Sequence, residues 1–141
     1  MPPTRFAALL VGLGLATAGP ALAADETMHS DDSAVLALQQ LDTDHDGSID
    51  AAESEAAASA IFAKLDPDHN GTLGAGTLAG RIDTAANMSL ADPDHDGTVS
   101  KAEYLAYVDG WFKKIDTNHD GKVDRGELAT PNGETYLQLV K

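Results

Sequence analysis

"DPDHDGTVSKAE", residues 92–103, carries oxygen-bearing side chains at its first, third, fifth and twelfth places and a glycine at its sixth. Three further stretches repeat the layout: "DTDHDGSIDAAE" (42–53), "DPDHNGTLGAGT" (66–77) and "DTNHDGKVDRGE" (116–127). Each feature has a chemical reason. Oxygens at places 1, 3 and 5 converge on a hard cation, and place 7 adds a backbone carbonyl. Place 9 ligates directly or through water, and a glutamate at place 12 brings both oxygens. Glycine at place 6 takes a sharp turn that side-chained residues resist. The apolar residue at place 8 (Ile49, Leu73, Val99, Val123) suits a short strand that pairs two loops over a core.

Three of the four stretches match the EF-hand calcium-loop pattern in full. Loop one offers Asp42, Asp44, Asp46, the Ser48 carbonyl, Asp50 and Glu53. Loop three offers Asp92, Asp94, Asp96, the Thr98 carbonyl, Ser100 and Glu103, and loop four Asp116, Asn118, Asp120, the Lys122 carbonyl, Asp124 and Glu127. Loop two is damaged: Gly74 stands at place 9 and Thr77 at place 12, leaving Asp66, Asp68, Asn70 and the Thr72 carbonyl. The ligand sets predict three strong sites, in loops one, three and four, and one weak site in loop two.

The loops begin at residues 42, 66, 92 and 116, too close together for each to own two helices. Between Glu53 and Asp66 lies only "SEAAASAIFAKL", one helix of about 18 Å, so the helix leaving loop one must also enter loop two. The same holds for "YLAYVDGWFKKI", where Tyr104, Leu105, Val108, Trp111, Phe112 and Ile115 recur at helical spacing and read as core. "LAGRIDTAANMSLA" (78–91) reads as a further helix, as does Ser33–Leu41 with Asp32 or Ser33 as its cap. Pro131-Asn132-Gly133 reads as a break before a last helix, Glu134–Val140. The predicted fold is all-α, a compact small helical bundle of four closely spaced loops sharing helices, over residues 33–141.

Arg5, the apolar run Phe6–Ala18, the breakers Gly19-Pro20 and the small residues of Ala21-Leu22-Ala23 read as a secretory signal cleaved after residue 23. The expected location is therefore the periplasm, with 24–32 a flexible acidic tail. Nine Lys and Arg face 23 Asp and Glu, for a net charge of −14. That balance disfavours nucleic acid and anionic membranes as partners and favours cations. With no cysteine, thiolate metal sites, thiol nucleophiles and disulfides are excluded. No nucleophile–base constellation stands beside the acidic residues, so an enzyme is not expected.

The compressed four-loop array behind a leader resembles lanmodulin, the periplasmic lanthanide-binding family, over about Val35–Lys141. The likeness rests on "FAKLDPD" (62–68), "KAEYLAYV" (101–108), "ELATPNGETYLQLVK" (127–141) and proline at place 2, here Pro67 and Pro93. It implies a compact three-helix arrangement formed on metal binding, with preference for trivalent lanthanides over calcium. Thr43 and Thr117 replace proline at place 2, Gly74 and Ser100 replace aspartate at place 9, and Thr77 replaces the place-12 ligand.

Charge bears on which cation is favoured. Two unit charges about 4 Å apart interact by about 4 kcal/mol at an effective dielectric near 20, so a third charge on the ion strengthens every carboxylate contact. Its higher dehydration cost offsets most of that gain. The residue should grow with carboxylate number, making loop one the best lanthanide site. Magnesium is too small for a flexible cage of seven or eight oxygens, and zinc or copper would call for His or Cys. His45, His69, His95 and His119 all stand at place 4, which points to solvent, and His29 falls in the tail. Two readings result: a lanthanide and calcium binder for uptake, storage or delivery, and a calcium-responsive interaction or buffer protein without lanthanide selectivity. No protein partner is specified by either.

Overall fold

The computed structural model of the chain describes residues 30–82 and 84–141. The leader read at 1–23, the tail before Ser30 and His29 lie outside the described residues. The elements run α1 (Ser30–Leu41), β1 (Ser48–Asp50), α2 (Ala51–Leu65), β2 (Thr72–Gly74), α3 (Ala75–Leu78), α4 (Ala85–Ala91), β3 (Thr98–Ser100), α5 (Lys101–Ile115), β4 (Lys122–Asp124), α6 (Arg125–Leu128) and α7 (Pro131–Val140).

The shared helices are α2 and α5. In α2, an alanine-rich segment of strong helix formers, Ser54, Ala58, Ile61 and Phe62 form one buried stripe. In α5 the stripe is Tyr104, Tyr107, Val108, Phe112 and Ile115. Packed against each other in opposite directions, these helices bring loop one beside loop four and loop two beside loop three. The strands record this: β1 pairs antiparallel with β4, setting Ile49 opposite Val123, and β2 with β3, setting Leu73 opposite Val99. All four of these place-8 residues are buried in the core. A fifteen-residue helix spans about 22 Å, so the two loop pairs sit at opposite ends of the bundle.

Helix α7 packs on α1, α2, α5 and α6. The Tyr104 hydroxyl donates to the Leu139 carbonyl at 2.6 Å, and Tyr136 lies edge-on to Phe112 at 6.4 Å between ring centres. Arg81 Nη1 donates to the carbonyls of Gln138 and Lys141, tying the turn after α3 to the negative end of α7.

Several element boundaries differ from the sequence reading. Helix α1 starts at Ser30, so Asp31 and Asp32 lie in its first turn, where the helix dipole favours acids. The stretch 78–91 is not one helix. It breaks at Gly80, whose φ is +87°, and α4 restarts on Thr84, whose side chain accepts from the Asn87 amide. Pro131 does not break the chain before the last helix but opens it at the first helical position, where its missing N–H costs nothing, with Thr130 as N-cap. On α5, Tyr107 joins the buried stripe, while Leu105 and Trp111 pack against its edge. Lys114 Nζ lies 3.9 Å from the centre of the Trp111 ring.

Candidate metal centre

Each loop begins where a helix ends. Asp42, Asp66, Asp92 and Asp116 donate their amides to Leu38, Phe62, Met88 and Phe112, closing the last helical turn. All four place-1 aspartates are buried, at 5–7% exposure, although a carboxylate at the negative end of a helix is electrostatically misplaced without a cation. Asp42 accepts from the amides of Asp46 and Gly47 at 3.1 and 2.9 Å. Asp66, Asp92 and Asp116 do the same with the amides at places 5 and 6 of their own loops. These bonds hold each place-1 carboxylate against the turn at places 5 and 6.

In loops one and three the result is compact: carboxylate oxygens of Asp42, Asp44 and Asp46, and of Asp92, Asp94 and Asp96, lie within 4.8 Å of one another. Asn70 and Asn118 put a neutral amide oxygen where loops two and four would otherwise complete a third acid. The amides of Ser48, Thr72, Thr98 and Lys122 at place 7 donate to the place-5 oxygen, which fixes that side chain against its own loop. The donors are all oxygen, as a hard cation requires.

Places 9 and 12 have a second duty that ligand reasoning alone missed. Asp50 with Glu53, Ser100 with Glu103, and Asp124 with Glu127 each form a capping box at the start of the next helix. The signal was present as the spacing of a small polar residue three before a glutamate. Gly74 provides no side-chain cap, so the helix after loop two, α3, starts without one. The loss of Glu at place 12 therefore weakens loop two twice, as a ligand set and as a helix start.

The place-12 glutamates are also anchored differently. Glu53 Oε1 accepts from the Thr43 amide and hydroxyl at 2.5 and 2.8 Å, and Glu127 Oε1 from those of Thr117 at 2.9 and 3.0 Å. Pro93 has neither donor, and Glu103 accepts from the Ser100 amide at 2.7 Å. Threonine in place of proline thus holds the place-12 carboxylate to the start of its loop.

The acids differ in their proton affinity. Lys122 beside Asp46, helped by the Ser48 hydroxyl and amide, holds the Asp46 carboxyl at about 2. Asp96 is lowered by the Thr98 hydroxyl and amide. Asp66 is lowered despite its desolvation, because the Gly71 amide, Asp68 and the Asn70 amide together outweigh it. Asp94 is raised: the Asp96 amide pulls it down, but desolvation, the hydrogen bond with Asp92 and the charges of Asp96 and Glu103 prevail. Crowding among like-charged carboxylates explains that rise.

His45, His69, His95 and His119 are exposed, as expected of place 4. Their φ angles of 54–63° put all four in the left-handed region, where Asn, Asp and His are among the few side-chained residues enriched. The position is solvated but not tolerant. Neither acidic cluster includes a histidine.

Helices joined by such loops, with paired strands at place 8 and acidic clusters at places 1, 3 and 5, define a helical metal-binding module. The sequence matches the EF-hand domain pair family over residues 31–130, a span that holds all four loops, and the chain belongs to that family. Its members typically bind metals rather than catalyse reactions. Among curated proteins, none matches the sequence.

Proposed function

We propose that this is a periplasmic protein of lanmodulin type that takes up lanthanide(III) ions and calcium and serves lanthanide uptake, storage or delivery. The observation that carries the reading is the recurrence, on shared helices, of one oxygen set at places 1, 3, 5 and 12. Asp42, Asp44, Asp46, Asp50 and Glu53 would hold an ion in loop one, Asp92, Asp94, Asp96, Ser100 and Glu103 in loop three, and Asp116, Asn118, Asp120, Asp124 and Glu127 in loop four. Backbone carbonyls at Ser48, Thr98 and Lys122 complete these sets. The ion would supply the positive charge that buried place-1 aspartates at helix ends demand. Gathering several carboxylates around a small core favours folding coupled to binding. The leader read at 1–23 supports export.

One observation favours the second reading, a calcium-responsive interaction protein. Leu90 is 68% exposed and borders a groove of about 300 Å³ with Asn87, Tyr107, Trp111 and Lys114. Titrating chelated protein with calcium and with lanthanum, followed by circular dichroism, separates the two. Folding at far lower lanthanum than calcium is the expected result. Equal midpoints would leave a calcium binder without lanthanide selectivity.

A further inference from the structure

The antiparallel ladders set place 9 of each loop opposite place 7 of its partner: Asp50 faces Lys122, Asp124 faces Ser48, Ser100 faces Thr72 and Gly74 faces Thr98. In loops one, two and three the place-7 residue is a serine or threonine whose hydroxyl bonds back to place 5 of its own loop. Lys122 of loop four breaks the pattern. Its ammonium crosses the ladder and forms an ion pair with Asp46 Oδ2, a place-5 oxygen of loop one. The contact joins residues 76 positions apart in sequence. The charges of Asp44 and Asp50 also act on this ammonium.

We propose that Lys122 is a specificity-determining residue for loop one, a tethered cation that competes for Asp46 and lowers that loop's preference for trivalent over divalent ions. This rests on reading loop one as a cation site. The argument is one of charge. An ion held by Asp42, Asp44 and Asp46 shares Asp46 with a fixed positive charge, or displaces it. Displacement costs the same whatever the ion, but repulsion from an ammonium that stays nearby scales with ionic charge, three parts against two. Loop one is richest in carboxylates, and Lys122 offsets that advantage. Ser48, which faces loop four across the same ladder, carries no charge, so the effect runs in one direction.

Lys122 is partly exposed, so its replacement leaves the core untouched. The test compares the full chain with K122Q and K122R, titrated with calcium chloride and with lanthanum chloride. Loop-one occupancy is followed through the Gly47 amide, which donates to Asp42 Oδ2 at 2.9 Å, and loop-three occupancy through Gly97, which donates to Asp92. K122Q should raise the lanthanum-over-calcium preference at Gly47 roughly threefold to tenfold, leave Gly97 unchanged, and lose most of the gain at high salt. K122R, which keeps the charge, should behave as the unmodified chain. A Gly47 response to both ions that K122Q leaves unchanged, or an equal change at Gly97, overturns the inference alone. No response at Gly47 to either ion overturns the inference together with the reading it rests on.

Discussion

The Tyr136 hydroxyl donates a 2.8 Å hydrogen bond to Ser54 Oγ, fastening the last helix to the first shared one. Both groups are buried, and desolvation pushes the Tyr136 phenol up to about 12, with Tyr104 at about 12 for the same reason. Below pH 10 both folded and unfolded chains keep these protons, so the stabilisation is complete. Between pH 10 and 12 only the folded chain keeps them, and stability falls as pH rises. Each phenol contributes on the order of 2 kcal/mol to that loss. Thermal unfolding in calcium should show a falling midpoint over this window, with a shallower fall in Tyr136→Phe. Identical slopes in the two proteins would remove Tyr136 as a cause.

Gly133 is the residue that lets α7 begin so close behind α6. A Cβ there would lie 2.2 Å from the Leu128 carbonyl oxygen, a backbone atom that cannot swing away. Gly133→Ala should therefore cost about 1–3 kcal/mol, read as a lower urea midpoint with unchanged slope. A midpoint equal to that of the parent would mean α7 shifts without penalty.

Loop two lacks both functions of its ninth and twelfth places, so restoring them should act on both. Gly74→Asp with Thr77→Glu should add a strong site, raising the lanthanum stoichiometry from three to four in equilibrium dialysis, and should increase helicity after Gly74. Four equal sites in the unmodified chain would show that Thr77 is no handicap.

At place 4, His95→Val should destabilise loop three by about 1–2 kcal/mol, because a β-branched side chain fits the left-handed backbone poorly. His95→Asn and His95→Gly should be nearly neutral. Calcium affinity at Gly97 reports the difference. Equal affinities in all three variants would refute the conformational account.

The loops were legible because coordination chemistry restricts residue type at fixed places, and the spacing from Glu53 to Asp66 forces a shared helix. Pairing by outer and inner loops follows once α2 and α5 lie antiparallel, which no local stretch encodes. The start of α7 was misread because Pro131 suits a helix start as well as a break, and the cap on Thr130 decides between them. Lys122 was visible only as a carbonyl donor. Its ammonium acquires a role only through its contact with Asp46, 76 positions back. The left-handed φ of four histidines was masked by their exposure, which suggests freedom where the backbone allows little.

The nesting of the two ladders also orders events in time. Leu73 meets Val99 after 26 intervening steps of chain, whereas Ile49 must wait 74 for Val123. The inner hairpin can close early, but the outer one cannot close until residue 123 has been made, at the larger entropy cost of a longer loop. Loop one, synthesised first, is the site whose partner arrives last. Until then it is a string of five carboxylates without its facing strand. A chain built this way can settle its inner pair of loops before its outer pair.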